Sequence, residues 1–138
     1  MTAYPGWATV SVGTELCEVV DRIDYLRVVM NPGATWDYFP GHYDPAYAGQ
    51  HGHPGIFVNT MHIAGFVDRI ATDWAGPASR VVRRRIALLG SIYAGDSMVG
   101  RGRVVATRAD RLVDLEITVC NQRGELCCPA EVTLQLPG

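Results

Sequence analysis

The stretch IFVNTMHIAGFVDRIATDW, Ile56 to Trp74, decides how the chain folds. Within it Met61, Ala64, Val67, Ile70, Ala71 and Trp74 return at helical spacing, and Gly76-Pro77 stops the pattern, which predicts a helix from about Ile56 to Trp74. Ile63 and Phe66 widen its apolar face, so the helix should be wrapped on several sides by other structure. Strands follow it. Val81 to Leu89 and Met98 to Thr107 read as two, joined by the Gly-containing segment Gly90 to Gly95. Val113, Leu115, Ile117 and Val119 then alternate with polar neighbours in a half-buried strand. Past Asn121 to Gly124, a second alternation through Leu126, Cys128, Ala130, Val132, Leu134 and Leu136 completes an antiparallel hairpin, in which Pro129 demands an edge, a bulge or a non-bonding position.

One long helix followed by four strands that curl round it makes an α+β protein of the hot-dog type, an antiparallel sheet wrapped round a central helix. With 138 residues and 15.0 kDa the chain can build one hydrophobic core and is too short for two ordinary domains, so residues 1–138 are read as a single domain. Net charge is -2, which supplies no electropositive field for nucleic acid or an anionic membrane surface. No apolar stretch approaches the length of a membrane span, and Met1 to Val12 lacks the basic flank and apolar run of a signal peptide, so a cytoplasmic location is expected. All 12 basic residues are Arg, a side chain suited to bidentate contacts with phosphate or carboxylate. Cys17, Cys120, Cys127 and Cys128 form no C-x-x-C pair and are read as reduced packing residues.

Between Asn31 and Gly55 the chain is dense in Gly, Pro, His and aromatic residues, too broken for one regular element, and loops of that length in small domains often carry function. In it stands Asp37-Tyr38-Phe39-Pro40-Gly41-His42, followed by Tyr43-Asp44-Pro45-Ala46-Tyr47-Ala48. An aspartate and a histidine separated by four residues, with Pro before the His and Ala six after it, resemble the signature of MaoC-type hot-dog proteins, the (R)-specific enoyl-CoA hydratases and related dehydratases. Ile56-Phe57-Val58-Asn59 and Thr72-Asp73-Trp74-Ala75-Gly76-Pro77 look closer still to the small MaoC-like hydratase subunits of actinobacterial steroid side-chain degradation, which work with a second MaoC-like chain. The similarity runs from about Arg27 to the last strand. The sequence departs from the family pattern at Phe39, where an Asn is usual, and at Asn59-Thr60, where His-Gly is common.

The resemblance implies an enoyl-thioester hydratase or 3-hydroxyacyl-thioester dehydratase. Hydration needs a base to take a proton from water, an acid to protonate the α-carbon, and donors for the enolate-like oxygen. It implies Asp37 as base and His42 as the group that orients the water and donates, with the roles reversed in dehydration. The thioester oxygen would lie at the N-terminus of the central helix, near Asn59, Thr60 and Met61, where free N–H groups and the helix dipole favour negative charge. Phe39 completes the substrate-binding set. The substrate carries coenzyme A or phosphopantetheine, and no other cofactor or metal is expected. A second MaoC-like chain, identical or different, is the expected partner, because a lone hot-dog sheet leaves an edge exposed.

Other residues admit plainer roles. His51 and His53 could suggest a metal site with His42 or His62, but no carboxylate or thiolate stands at a matching spacing, and a mobile, solvated loop is the preferred reading. Arg83, Arg84 and Arg85 could grip phosphates or face solvent; on a strand Arg84 points opposite to its neighbours, so the three are not one patch. Asp68, Arg69 and Asp73 are read as ion-pair or dimer-contact residues and Trp74 as core. A non-catalytic subunit and a thioesterase are the rival functions.

Overall fold

The computed structural model describes residues 4–138. Its elements run β1 (Val19–Arg22), α1 (Tyr25–Thr35), α2 (Pro45–Gln50), α3 (Thr60–Ala75), β2 (Arg80–Ile86), β3 (Ser97–Arg108), β4 (Leu112–Cys120) and β5 (Leu126–Gln135), with 3-10 turns at Trp7–Thr9 and Pro40–His42. The strands form one antiparallel sheet in the order β1-β3-β4-β5-β2. The inward alternation holds: Val113, Leu115, Ile117 and Val119 on β4, and Cys128, Ala130, Val132 and Leu134 on β5, are buried against Ile63, Phe66, Val67 and Ile70 of α3 in one core. Each such Ile, Leu, Val or Phe contributes about 1.5–3 kcal/mol on leaving water. Trp74 is half-buried against that core.

The central helix starts four residues later than its apolar pattern. Asn59 is extended (φ -81°, ψ 166°) and its side-chain oxygen accepts the His62 amide at 3.0 Å, an N-cap that fixes the first turn at Thr60. Ile56 and Val58, β-branched and buried, run extended instead: the Val58 amide donates to the Ile92 carbonyl and the Ala94 amide to the Ile56 carbonyl, both at 3.0 Å. Leu126 departs from its expected face. A register shift between Val119 and Cys120 pairs Cys120 with Leu126, and Leu126 is exposed while Cys127 is buried.

Two close approaches depend on residue type. Gly100 of β3 lies under α3, and a methyl there would collide with Ile70 Cδ1, so the buried Ile70 side chain would have to shift to admit it. Pro129 lies inside β5 between β4 and β2, yet its carbonyl accepts the Ala87 amide (3.1 Å) just past the end of β2. In an antiparallel ladder a residue's N–H and C=O point to the same neighbour, so the missing Pro129 donor falls where the β2 pairing runs out and β4 loses no bond. No helix of the described residues is long and apolar enough to cross a membrane.

Candidate active site

The region expected to be one irregular loop is built from the ends of short elements. Asp24 caps α1 by accepting the Arg27 amide at 2.8 Å. At its other end the Pro32 carbonyl accepts from the Trp36 cap and from Asp37 (2.9 Å), with Trp36 in the left-handed conformation at φ 58° and ψ 31°. That turn reverses the chain and sends the Asp37 side chain back towards α3. Pro40 opens the 3-10 turn, closed by the His42 amide on the Phe39 carbonyl at 3.1 Å. Gly41 is buried in it: a Cβ there would stand 2.7 Å from the Phe39 ring and 2.8 Å from the Phe57 ring. The Phe57 amide donates to the Gly41 carbonyl (3.2 Å), which stitches the turn to the extended run before α3.

His42 and Asp37 meet across this seam. His42 Nε2 lies 3.4 Å from Asp37 Oδ2, with the imidazole almost wholly buried and the carboxylate about one-third exposed. The Phe57 carbonyl stands 2.8 Å from His42 Nδ1 and can only accept, so Nδ1 carries the hydrogen. In the neutral ring Nε2 then presents a lone pair towards a carboxylate oxygen that also only accepts. Two acceptors converging on one point can be bridged by a group that carries two O–H bonds. Asn59 Nδ2 donates to Asp37 Oδ2 at 3.2 Å and to Thr35 Oγ1 at 2.9 Å, while Asn59 Oδ1 caps α3. Asn59 itself is fully buried. One side chain thus ties the end of α1, the carboxylate and the start of α3 together.

Apolar walls surround the imidazole. Phe39 and Phe57 stand edge-on to it at centroid distances of 5.4 and 5.1 Å, and Tyr47 backs Phe39 at 5.6 Å. Phe39 therefore packs the ring in place with an exposed edge of its own. Trp36, Tyr38 and Tyr43 stand exposed beside it. Thr60 and Met61 are exposed in the first turn of α3, where backbone N–H groups have no intrahelical acceptor. The structure thus brings Asp37, His42, Asn59 and Phe39 together and leaves Thr60 and Met61 at the neighbouring helix end. Thr35, Gly41 and Phe57 were not singled out from sequence; the carbonyl of Phe57 and the hydroxyl of Thr35 carry no motif signal, whereas Gly41 stood within the motif.

The remaining candidates lie elsewhere. His51 and His53 are not on a loose loop: α2 ends beside them, His51 stacks on Tyr47 at 4.1 Å and has Nδ1 2.8 Å from the Tyr47 carbonyl, and His53 Nδ1 meets the Tyr93 hydroxyl at 3.0 Å. Among the described residues no group of three His, Cys, Asp or Glu is placed to hold a metal ion. Arg84 turns inward to pair with Asp68 of α3. Arg83 and Arg85 line a groove of about 620 Å³ on the outer face of the sheet that includes neither Asp37 nor His42. Arg69 pairs with Asp73 (3.2 Å) and Asp21 (3.7 Å). Cys127 and Cys128 are buried free thiols, pushed up in pKa by burial, and Cys17 is exposed.

No family model matches the chain. It is 32% identical over 114 residues, 83% of its length and 88% of the relative's, to the 3-oxo-4,17-pregnadiene-20-carboxyl-CoA hydratase beta subunit of Mycobacterium tuberculosis. Among solved structures it superposes on a chain of the ChsH1-ChsH2 complex from Mycobacterium tuberculosis with a TM-score of 0.87 and 31% identity, covering 92% of this chain and 98% of that one. The (R)-hydratase from A. caviae involved in PHA biosynthesis shares the fold, with a TM-score of 0.85 and 23% identity over 94% of this chain and 98% of the other.

Proposed function

The chain belongs to the MaoC-like hot-dog family of hydratases and dehydratases, and from that membership we propose that it hydrates an enoyl thioester, or dehydrates the 3-hydroxyacyl product, with Asp37 and His42 holding the reacting water. The observation that carries the reading is the 3.4 Å approach of Asp37 Oδ2 to a His42 ring whose other nitrogen is committed to the Phe57 carbonyl. In hydration one O–H bond of the water breaks, its oxygen adds to the β-carbon, and the proton taken up by the pair is delivered to the α-carbon. The pair ends in the protonation state in which it began. Charge that develops on the thioester oxygen is met by the free N–H groups of Thr60 and Met61 and the positive end of α3.

The acyl group is proposed to be bulky and apolar, carried on coenzyme A. Supporting this are the exposed rings of Trp36, Tyr38, Phe39 and Tyr43 around the mouth of the site and the pregnadiene-carboxyl-CoA substrate in the relative's name. The working form is proposed to be an assembly with a second MaoC-like chain, as in the ChsH1-ChsH2 complex. The test is a spectroscopic assay of crotonyl-, long-chain and steroid-side-chain enoyl-CoA with the chain alone and mixed with the ChsH2-type chain. Loss of the enoyl absorbance in the mixture, fastest with the polycyclic acyl group, is expected. If the mixture turns over none of the three, hydration is excluded; if it turns over the substrates equally with Asp37→Asn, the chain is a binding subunit.

A further inference from the structure

The placement of Phe57 is set by residues that touch neither Asp37 nor the water site. The extended run Ile56 to Val58 lies antiparallel to Ile92 to Ala94, and the bonds from the Val58 amide to the Ile92 carbonyl and from the Ala94 amide to the Ile56 carbonyl flank the Phe57–Tyr93 pair. Phe57 and Tyr93 are therefore a non-hydrogen-bonded pair of the ladder. At such a position both backbone groups of Phe57 point away from the partner segment, so its N–H reaches the Gly41 carbonyl and its carbonyl reaches His42 Nδ1. The two side chains stand on one face, their rings edge-on at 6.2 Å. His53 completes the group, with its ring 4.5 Å from that of Phe57 and its Nδ1 3.0 Å from the Tyr93 hydroxyl. Both members of that bond are anchored. The His53 amide donates to the Ala48 carbonyl of α2 at 3.0 Å, and the Tyr93 amide donates at 3.0 Å to the buried Asp96 carboxylate, which also accepts Gln122 Nε2 at 2.7 Å.

We propose that His53 and Tyr93 are positioning residues for His42: their hydrogen bond clamps Phe57, whose carbonyl then keeps the hydrogen of the neutral imidazole on Nδ1. Two acceptors compete for that hydrogen. The Phe57 carbonyl stands 2.8 Å from Nδ1, and the Asp37 carboxylate stands 3.4 Å from Nε2. A carboxylate is the stronger acceptor of the two, so the carbonyl prevails only while it is held close and in line. If Phe57 loosens, the hydrogen moves to Nε2 and is spent on Asp37, and the lone pair that would receive a water proton is gone. Two backbone bonds are a slight hold on the run that carries Phe57, since even a whole two-stranded hairpin is marginal in water. The bond between His53 and Tyr93, 40 residues apart in sequence, adds the lock from the side-chain face. The consequence for rate rests on the hydration chemistry proposed above; the consequence for the His42 tautomer does not.

The test compares wild type with Tyr93→Phe and His53→Phe, each of which keeps a ring and deletes the hydrogen bond, and with His53→Asn, which loses the ring and keeps a polar atom where Nδ1 stood. Long-range proton–nitrogen correlation spectra of the isotope-labelled full-length chain, in mildly alkaline buffer, read the His42 tautomer, and circular dichroism verifies that each variant folds. In both phenylalanine variants the ratio of Nε2-protonated to Nδ1-protonated His42 is expected to rise about two- to tenfold, the worth of one ordinary hydrogen bond. In the assembled protein kcat for an enoyl thioester should fall by a similar factor with KM little changed, and the double variant should be no worse than either single one, because both remove one interaction. His53→Asn should keep more of the Nδ1 tautomer and more of kcat than His53→Phe. An unchanged tautomer ratio in Tyr93→Phe overturns the proposal. So does a Tyr93→Phe variant with the wild-type kcat, or a His53→Asn variant no better than His53→Phe. A moved tautomer with no turnover in wild type leaves the clamp standing and removes the hydration reading; an unmoved tautomer with full turnover does the reverse.

Discussion

The closeness of Asp37 and His42 was legible from their spacing because the motif places a carboxylate and an imidazole on either side of one short turn. The tautomer of His42 needed geometry. The Phe57 carbonyl decides which His42 nitrogen is a donor, and nothing at position 57 signals that in a sequence. Asn59 is the sharper case: assigned from its place at the helix start to the oxyanion set, it spends all its polar atoms on the α3 cap, Asp37 and Thr35. Asn59→Ala should therefore lower the unfolding free energy by about 0.5–2 kcal/mol through the lost cap, measurable in urea titrations, and reduce kcat as Asp37 loses its donor. Asn59→Asp keeps a capping oxygen but sets a second, buried carboxylate against Asp37 in place of the donor, so both stability and kcat should fall through charge repulsion. A kcat unchanged in both variants would remove the positioning role.

The central helix and the last three strands were readable because each presents a period over nine or more residues. The elements that were missed lack one. β1 is four residues long, too short for alternation to stand out, and α1 carries Pro32 and Gly33, which read as breakers. Pro32 is tolerated one turn from the helix end, where its carbonyl collects the Trp36 and Asp37 amides and so forms the bend that aims Asp37. The β3 glycine at position 100 shows the converse, a composition signal without a visible reason until α3 is laid across it. Gly100→Ala should displace the buried Ile70 side chain and cost about 1–3 kcal/mol, read as a lowered denaturant midpoint with little change in slope. A midpoint equal to that of wild type would show that the helix is not seated this closely.

Across the whole molecule, β1, α1 and α3 are joined on one side by charge. Asp21 pairs with Arg27 and lies 3.7 Å from Arg69. The hydrogen bond from Arg27 holds Asp21 below its ordinary 3.8, and burial, aided by Arg27 and opposed by Asp21, holds His62 below its ordinary 6.5. Both shifts favour the deprotonated form in the folded state, so the stability they represent is present at higher pH. The His62 part should fade as pH falls below about 6.5 through its lowered folded value, and the Asp21 part as pH falls below 3.8. His62→Gln should flatten the first fall in a stability-against-pH curve, and an unchanged curve would assign it to another group. The network includes Arg27 of α1, the helix whose other end positions Asp37. The most direct measurement is accordingly kcat/KM for enoyl-thioester hydration by the assembled protein, in wild type, Asp37→Asn, His42→Ala and the double variant. If the pair holds one water, each single change should cost roughly 10²- to 10⁴-fold and the double change little more than either, because the two act as a unit. Both single variants running at the wild-type rate would contradict the account.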